Sequence, residues 1–350
     1  MQRKNPDRQR VALVTIGIAL VVVIGVISAA FVMRFVLPSK NLIVAVDGVE
    51  YTRGDIMREL RIKQQSAAIA GRVFPVSEEI FKTFNELVEN QVISLNAPNL
   101  GIAVTDDEID AEISRLLGPT GKDVPADESQ QVEREFRERY RGFLNLLHIG
   151  ESDHREFVRT YLLREEVRQL IGDSVPTVAE QAHVYRVGVS PDDEVEIMKL
   201  KYEESLVRDG TEPEALHEAF KAISREFGRD GPELLRAGGD LGWVPRGVHS
   251  EYDGVIFDLD IGELSEPIPS LDDPTAVYFF MVSGREEARE IDPASRNRLK
   301  SNALQNWVNE KKKQHEIFAD LNSDIHAWIA NELRTTNTVT PTPQANPFGF

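Results

Sequence analysis

Hydrophobic residues recur at helical spacing through the first half of the chain, after one short alternating stretch. LIVAVDGVEYT at 42–52 flanks Asp47 and Gly48, a pair that favours a tight turn, so it predicts a hairpin of two strands. Thr105 and Glu108 have the spacing of a helix-capping box. Apolar residues lie three or four apart at Ile80, Phe81, Phe84, Leu87, Val88 and Val92, and again at Ile109, Ile113, Leu116 and Leu117. Residues 50–172 are therefore predicted to be mostly α-helical.

The pattern changes after residue 174. AHVYRVGV at 182–189 is rich in strand-forming residues, and two helical patterns follow it. GGDLGWV has too many glycines for a helix and fits a strand entered through a tight turn. A short helix at 249–258 and strands at ELSEPI and AVYFFMVS complete the order β-α-α-β-α-β-β, which predicts a compact α+β domain.

The C-terminal part again has a helical pattern. Asp292 and Pro293 provide an N-cap followed by proline at the first helical position. A second apolar stripe runs from Phe318 to Ile329. The Thr/Pro-rich tail at 334–350 is predicted to be disordered.

The N-terminus combines positive charge with a long apolar run. Residues 1–10 contain four basic residues and one acidic residue, and residues 11–33 contain no charge. As a helix, that run would extend about 35 Å, enough to cross a bilayer. We therefore predict a transmembrane signal-anchor at 11–36, with the N-terminus cytoplasmic and the bulk of the chain extracytoplasmic. A cleaved signal peptide is the alternative, because Ser28, Ala29 and Ala30 are small.

Composition excludes several kinds of chemistry. The net charge of −18 argues against nucleic-acid binding and against direct binding to anionic lipid surfaces. The absence of cysteine excludes disulfides, thiol catalysis and cysteine-ligated zinc. The glycines of AGGDLGWVPRG lead into a strand, whereas a phosphate-binding loop opens a helix. The seven histidines form no metal-binding motif, so no metal and no cofactor are expected.

The ordered segments SREFGRD, GGDLGWVPRG, IFDLDIGELSEPI and VYFFMV resemble the parvulin family of peptidyl-prolyl isomerases. Their order and spacing match the family over residues 176–289. The resemblance implies a four-stranded antiparallel-type sheet with helices, and catalysis of X-Pro isomerisation without a nucleophile or cofactor.

The flanking segments resemble secreted chaperones of the SurA/PrsA type. VDGVEYTRGDI and GIAVTDDEIDAEI look like parts of their N-terminal helical domain, assigned here to residues 41–175. In such proteins a helix after the isomerase domain packs back on the N-terminal part, and residues 290–333 are the candidate. The expected fold is thus α+β, with a transmembrane helix, a mostly helical chaperone domain and a parvulin-like domain.

The resemblance also assigns residues to a proline-binding pocket. Leu241 matches a family pocket leucine and Tyr252 a pocket phenylalanine. Either Val248 or His249 matches the family's methionine, because the loop is one residue short. The competing interpretation of Leu241 and Tyr252 is ordinary core packing.

The polar side chains of the family's cleft are replaced in this sequence. Where members have two histidines, this chain has Arg186 and Tyr278, while Asp230 matches the aspartate or cysteine position. His183 matches an outer histidine and, three residues from Arg186 in a strand, should face the other way. Arg186 is permanently charged and only donates hydrogen bonds, so a pair with Asp230 is expected, together with weakened or lost catalysis.

The sequence therefore predicts a membrane-anchored extracytoplasmic foldase, a prolyl isomerase that also acts as a chaperone. Its expected partners are unfolded or newly exported polypeptides and proline-containing peptides. The alternative is a parvulin-fold chaperone that binds unfolded polypeptide without useful catalysis. A third hypothesis is a structural membrane-surface protein that keeps the fold only as a scaffold.

Overall fold

The computed structural model describes residues 38–69, 71–118, 129–147, 149–191, 194–270, 273 and 275–336, together with Leu20 and residues 23–26. The chain divides into two compact units. The helical unit contains the described residues up to Val167 and those from Val308 onward, and the α+β unit runs from Arg168 to Trp307.

The helical unit begins with a hairpin and continues through helices. Strands β1 (Leu42–Val46) and β2 (Val49–Thr52) pair antiparallel, as their alternation predicts. The helices are α1 (Arg53–Ile69), α2 (Val76–Asn96), α3 (Asp106–Leu117), α4 (Ser129–Leu147) and α5 (Glu151–Gly172). The predicted capping box is present at the start of α3, where the Thr105 hydroxyl accepts from the Glu108 N–H at 3.3 Å. Helix α4 places Phe136, Tyr140 and Phe143 against the buried face of α3, a packing partner that its charged sequence did not reveal.

The C-terminal segment completes the helical unit. After α10 (Pro293–Lys312), a strand β7 (Ile317–Ala319) pairs antiparallel with β1 and gives the sheet order β2-β1-β7. Helix α11 (Ser323–Thr336) follows and packs against α1 and α2. The sequence predicted a helix across the beginning of this region and missed β7, because a three-residue strand has too little periodicity to detect.

One ion-paired carboxylate also ties this segment to the helices before it. The Glu89 side chain on α2 is buried and accepts from Arg164 of α5 at 3.0 Å and from Lys312 at 3.3 Å. The packing of C-terminal residues on N-terminal ones therefore involves a strand, a helix and a largely buried ion pair.

The α+β unit is built on a long central strand. Strand β3 (Val178–Val189) lies between β4 (Asp240–Pro245) and β6 (Val277–Glu290), and β5 (Ile268–Pro269) adds to β6, so the antiparallel order is β4-β3-β6-β5. Its helices are α6 (Glu194–Asp209), α7 (Pro213–Phe227), α8 (Pro232–Arg236) and α9 (Asp253–Ile256).

Helix α9 is shorter than the predicted 249–258. The strand predicted at ELSEPI (263–268) is not continuous. Leu264 forms one isolated bridge and Ile268 begins β5, because Pro267 between them has no N–H to donate to a strand ladder.

Alternation along β3 and β6 divides this unit into two cores. On one face, Tyr185, Val187, Phe279 and Met281 pack against Met198, Tyr202 and Phe220 of α6 and α7. On the other face, Val184, Tyr278, Phe280 and Val282 pack with Val248, Tyr252, Ile256 and Phe257. We call this second set the cleft face.

The structure confirms the α+β class, and it contradicts the predicted N-terminal transmembrane helix. Among the described residues, no helix has both the length and the apolar character to cross a membrane. Within 11–36, only Leu20 and residues 23–26 are among the described residues. The rest of that range, residues 1–10 and residues 337–350 of the predicted tail lie outside the described residues.

Gly239 provides a test of how tightly β4 joins the sheet. Its φ is +82°, and a Cβ there would lie 2.6 Å from the Arg186 carbonyl oxygen and 2.8 Å from the Phe220 ring. We expect Gly239→Ala to destabilise the protein by about 3 kcal/mol through backbone strain and collision. Urea denaturation followed by circular dichroism measures the loss.

Gly254 is the matched control for that substitution. It is exposed in α9, and a Cβ there would meet nothing within 4 Å. Gly254→Ala should shift the unfolding midpoint slightly upward or not at all. Equal midpoints for the two variants would contradict the account of Gly239.

Candidate functional site

A β-bulge in β4 directs Leu241 to the cleft face. Asp240 pairs with Tyr185 and Gly242 with Val184, so Leu241 is an extra residue in the ladder. Gly242 has φ +75°, in the left-handed region that favours glycine, and its N–H donates to Asp240 Oδ1 at 2.7 Å. Leu241 consequently packs on the same face as Val244, whereas Trp243 stacks near His183 on the opposite face.

Arg186 contacts both Asp230 and Tyr278 at the end of the cleft face. Arg186 Nη2 donates to Asp230 Oδ1 at 2.9 Å, and the side chain of Asp230 is only 3% exposed. The Arg186 guanidinium carbon stands 4.3 Å from the centre of the Tyr278 ring, a cation–π distance. The expected ion pair is thus present, and the two residues at the family's histidine positions are stacked on one another.

The second oxygen of Asp230 is also occupied. The Gly188 backbone N–H donates to Asp230 Oδ2 at 2.6 Å. A Cβ at Gly188 would lie 3.1 Å from the Tyr278 ring and 3.4 Å from Asp230 Oδ1, so a larger residue would require these side chains to shift by a few tenths of an ångström. With both oxygens engaged, Asp230 is suited to hold Arg186 in place.

Aromatic rings form the floor beside this pair. Tyr252 meets Tyr278 edge to face, with ring centres 6.2 Å apart, and Phe280 at 5.0 Å. Tyr252, Tyr278 and Val248 are buried in one cluster with Phe280, and Leu241 packs partly buried against it. The structure therefore brings together Arg186, Asp230, Tyr278, Tyr252 and Leu241, although its geometry does not test their roles.

The loop before α9 separates the two residues that the sequence could not distinguish. Val248 is buried in the apolar cluster, while His249 stays partly exposed. Burial, and secondarily the nearby Arg298 guanidinium, lower the pKa of His249, and Arg186 adds a smaller effect of the same sign. His249 Nε2 lies 3.4 Å from Arg298 Nη1. Val248 thus belongs to the floor and His249 to the rim.

Helix α10 supports the loop at Gly247 and Val248. These contacts were not predicted from the sequence. The Asn302 amide donates to the backbone oxygens of Gly247 at 2.7 Å and Val248 at 3.3 Å. Leu299 packs against the cleft cluster. The family resemblance ends at residue 289, before α10 begins, and so gives no indication of these contacts. Phe280, by contrast, was detectable because it alternates with Tyr278 and Val282 along β6.

His183 faces away from the cleft, as its spacing from Arg186 predicts. Its ring meets Tyr185 edge to face, its Nδ1 lies 2.7 Å from Ser283 Oγ, and its Nε2 lies 3.2 Å from Asp240 Oδ1. His183 therefore supports the bulge from behind and cannot replace a cleft histidine.

Comparison with known proteins identifies the domain around this site. Residues 205–273 match the model of the PPIC-type PPIASE domain, the rotamase family. The foldase protein PrsA of Geobacillus kaustophilus is 22% identical over 243 residues, which cover 65% of this chain and 73% of the relative. The chain contains a parvulin-type domain in a PrsA-like protein.

Two solved structures illustrate the range of similarity. PrsA of Bacillus anthracis is 18% identical, with a TM-score of 0.37, over 72% of this chain and 96% of its own. A SurA-like chaperone of Campylobacter jejuni is 14% identical, with a TM-score of 0.26, over 67% of this chain and 95% of its own. At these scores, the assignment of the parvulin-type domain rests on the family match and the foldase relative.

The helical unit contains a second candidate site, a pair of adjoining cavities between α1, α2 and α5 that we call the helical groove. The cavities have volumes of about 420 and 560 Å³. Both are lined by Ile62, Lys63, Glu86, Phe157 and Tyr161. Val73, which is 90% exposed, and Leu116 lie at the larger one. Exposed apolar residues around a concave surface are typical of sites that bind apolar ligands or polypeptide.

A metal site is not visible in the described part of the chain. Among those residues, no group of three or more histidine or carboxylate side chains is placed to hold an ion.

The Arg186–Asp230 pair can be tested with a double-mutant cycle. Asp230→Ala leaves the guanidinium and the Gly188 N–H without their acceptor, so we expect a loss of about 2–3 kcal/mol of stability. Arg186→Met keeps the bond from Gly188 but leaves a carboxylate that is only 3% exposed without its cation, so it should cost at least as much. Chemical denaturation of both single variants and the double variant should give a coupling energy of about 1–2 kcal/mol. A coupling energy near zero would show that the pair does not hold the site together.

Proposed function

We propose that the parvulin-type domain catalyses cis–trans isomerisation of X-Pro bonds in unfolded polypeptides. The observation that carries this proposal is the location of a fixed guanidinium, Arg186, directly beside an apolar floor on one face of the sheet. The family match at 205–273 supports the same activity.

The chemistry requires no nucleophile. The barrier to rotation about the prolyl amide is about 20 kcal/mol because resonance holds it planar. Water stabilises the planar polar amide more than the twisted one, so an apolar pocket that excludes water favours the twisted state. A hydrogen-bond donor aimed at the prolyl nitrogen, whose lone pair is freed on twisting, adds electrostatic stabilisation in the transition state.

Each residue of the site has a proposed role in this scheme. Leu241, Tyr252 and Val248 grip the proline ring, and His249 contacts the peptide at the rim. Arg186 supplies the donor that the family takes from histidine. Asp230 is a positioning residue that acts through Arg186, and Tyr278 supports the guanidinium with its ring face.

The wider role that we propose is that of a foldase acting on unfolded or newly exported polypeptides. The similarity to the foldase PrsA supports this class, and the helical groove offers a second surface for extended chain. The location of the chain outside the cytoplasm stays a prediction, because the N-terminal residues on which it depends lie mostly outside the described ones.

One observation favours a second candidate, a domain that binds polypeptide with little catalysis. Asp230 already neutralises the charge of Arg186, and Tyr278 is buried in the floor. Because the ion pair with Asp230 and the Tyr278 ring fix the guanidinium, it can move less than a histidine imidazole as the prolyl nitrogen shifts during rotation. Under this candidate the cleft grips proline-containing segments, and the protein suppresses aggregation of a denatured client without accelerating isomerisation.

A proline-peptide isomerisation assay separates the two candidates. The wild-type protein should accelerate the reaction over background, and Leu241→Ala and Tyr252→Ala should each lower kcat/KM by about tenfold or more through lost pocket contact. Val207→Ala is the control, because Val207 is 89% exposed on α6. Absence of acceleration by the wild type would falsify the isomerase and leave the binding domain.

A further inference from the structure

The helical groove contains one acidic side chain that stands apart from the others. Five carboxylates line its smaller cavity, namely Asp55, Glu59, Glu86, Asp153 and Glu156. Four of them have a basic partner within the cavity lining. Arg58 lies 3.5 Å from Asp55 and 3.7 Å from Asp153, Arg159 bonds Glu156 at 2.8 Å, and Lys63 pairs with Glu86.

Glu59 has no such partner among the described residues. Lys63 follows Glu59 by four residues on α1, but the Lys63 ammonium is taken by Glu86 and by the Thr83 hydroxyl at 2.9 Å. Arg164, another cation of the lining, is held by Glu89 at 3.0 Å and by Asn90 at 2.9 Å. The basic groups around Glu59 are thus already engaged, and its carboxyl lines the cavity with no ion pair or hydrogen bond to any residue that the structure describes.

The pKa of Glu59 is raised by its surroundings. Burial is the main cause that raises its pKa to about 7, and the attraction of Lys63 only partly offsets it. Glu86 and Asp55 raise the pKa further, and Arg58 lowers it. An ionised Glu59 is therefore costly in the empty cavity, and a cation brought in by a ligand would remove that cost.

The rest of the cavity suits the stem of a long basic side chain. Ile62, Leu87, Phe157 and Leu163 supply apolar surface around the carboxyl. A lysine needs this combination, because its four-carbon stem packs on apolar atoms while its ammonium requires an acceptor. The adjoining larger cavity, with Val73 and Leu116, would accommodate the apolar neighbours of that lysine.

We propose that the helical groove binds unfolded polypeptide segments in which a lysine is flanked by apolar residues, with the lysine ammonium paired to Glu59. This inference deepens the proposed foldase role by naming a client chemistry. It does not depend on isomerase activity, because all residues of the groove lie in the helical unit.

The test measures binding of a labelled, proline-free peptide with a central lysine among leucines to the full-length protein, by fluorescence anisotropy. Matched peptides carry glutamine or glutamate in place of the lysine. Wild type should bind the lysine peptide about tenfold more tightly than the glutamine peptide, and Glu59→Gln should abolish that preference. Equal affinities in the wild type, or an unchanged preference in Glu59→Gln, would overturn the proposal.

Glu50→Gln is the matched control, because it removes the same charge from an exposed position on β2. It should leave the lysine preference intact. Equal loss of preference in this control would point to general charge attraction and count against a specific role of Glu59. Omission of proline keeps the result separate from the isomerisation assay, so either proposal can fail alone.

The stability of Glu59→Gln distinguishes a binding role from a structural one. A carboxyl whose pKa is raised from 4.5 to about 7 on folding lowers stability as pH rises through that window. Glu59→Gln should therefore have a Tm at about pH 8 that equals or exceeds that of the wild type, with less loss between about pH 5 and pH 8. A lower Tm at pH 8 would mean that Glu59 supports the fold and would contradict the proposal.

Discussion

The pairing of β3 with β6 is the constraint on which the α+β unit depends. Eleven residue pairs join the two strands, and from Val184 to Val189 the regular alternation decides which side chains meet. Arg186 and Tyr278 lie on the cleft face because each is an even number of residues from Val184 or Phe280 in its own strand. Val187 and Phe279 lie on the opposite face and pack against α6 and α7. One ladder therefore builds both the hydrophobic core and the polar end of the cleft.

The cleft places a permanently charged arginine beside an apolar floor. A permanent cation in a partly buried position needs a counter-charge, and Asp230 provides it with a side chain that is almost fully buried. Asp230 is itself fixed by the Gly188 N–H, and the Tyr278 ring covers the other side of the guanidinium. Arg186, Asp230, Gly188 and Tyr278 thus form a self-consistent arrangement, and its rigidity is the reason that catalysis and binding are separable hypotheses.

The two candidate sites differ in how their charges are balanced. In the cleft, each charged group at the polar end has a partner within the protein, so recognition depends on apolar contact and on hydrogen bonds. In the helical groove, the charge of Glu59 lacks a partner within the described residues, which costs stability in the empty state. Such a cost is common at binding sites, because an interaction left unsatisfied in the free protein becomes available to a ligand.

The sequence by itself determined the features that depend on neighbouring residues. The β1–β2 hairpin, the capping box of α3, the alternation of β3 and β6 and the ordered parvulin motifs were all predictable, because turns, caps and periodicity are local. Local pattern also gave a wrong result, since the apolar run at 11–33 predicted a transmembrane helix that the described residues do not contain. Only the tertiary structure joined β7 to β1, brought Asn302 to the loop at Val248 and left Glu59 without a partner. These features depend on which distant side chains are already engaged, and no local pattern records that.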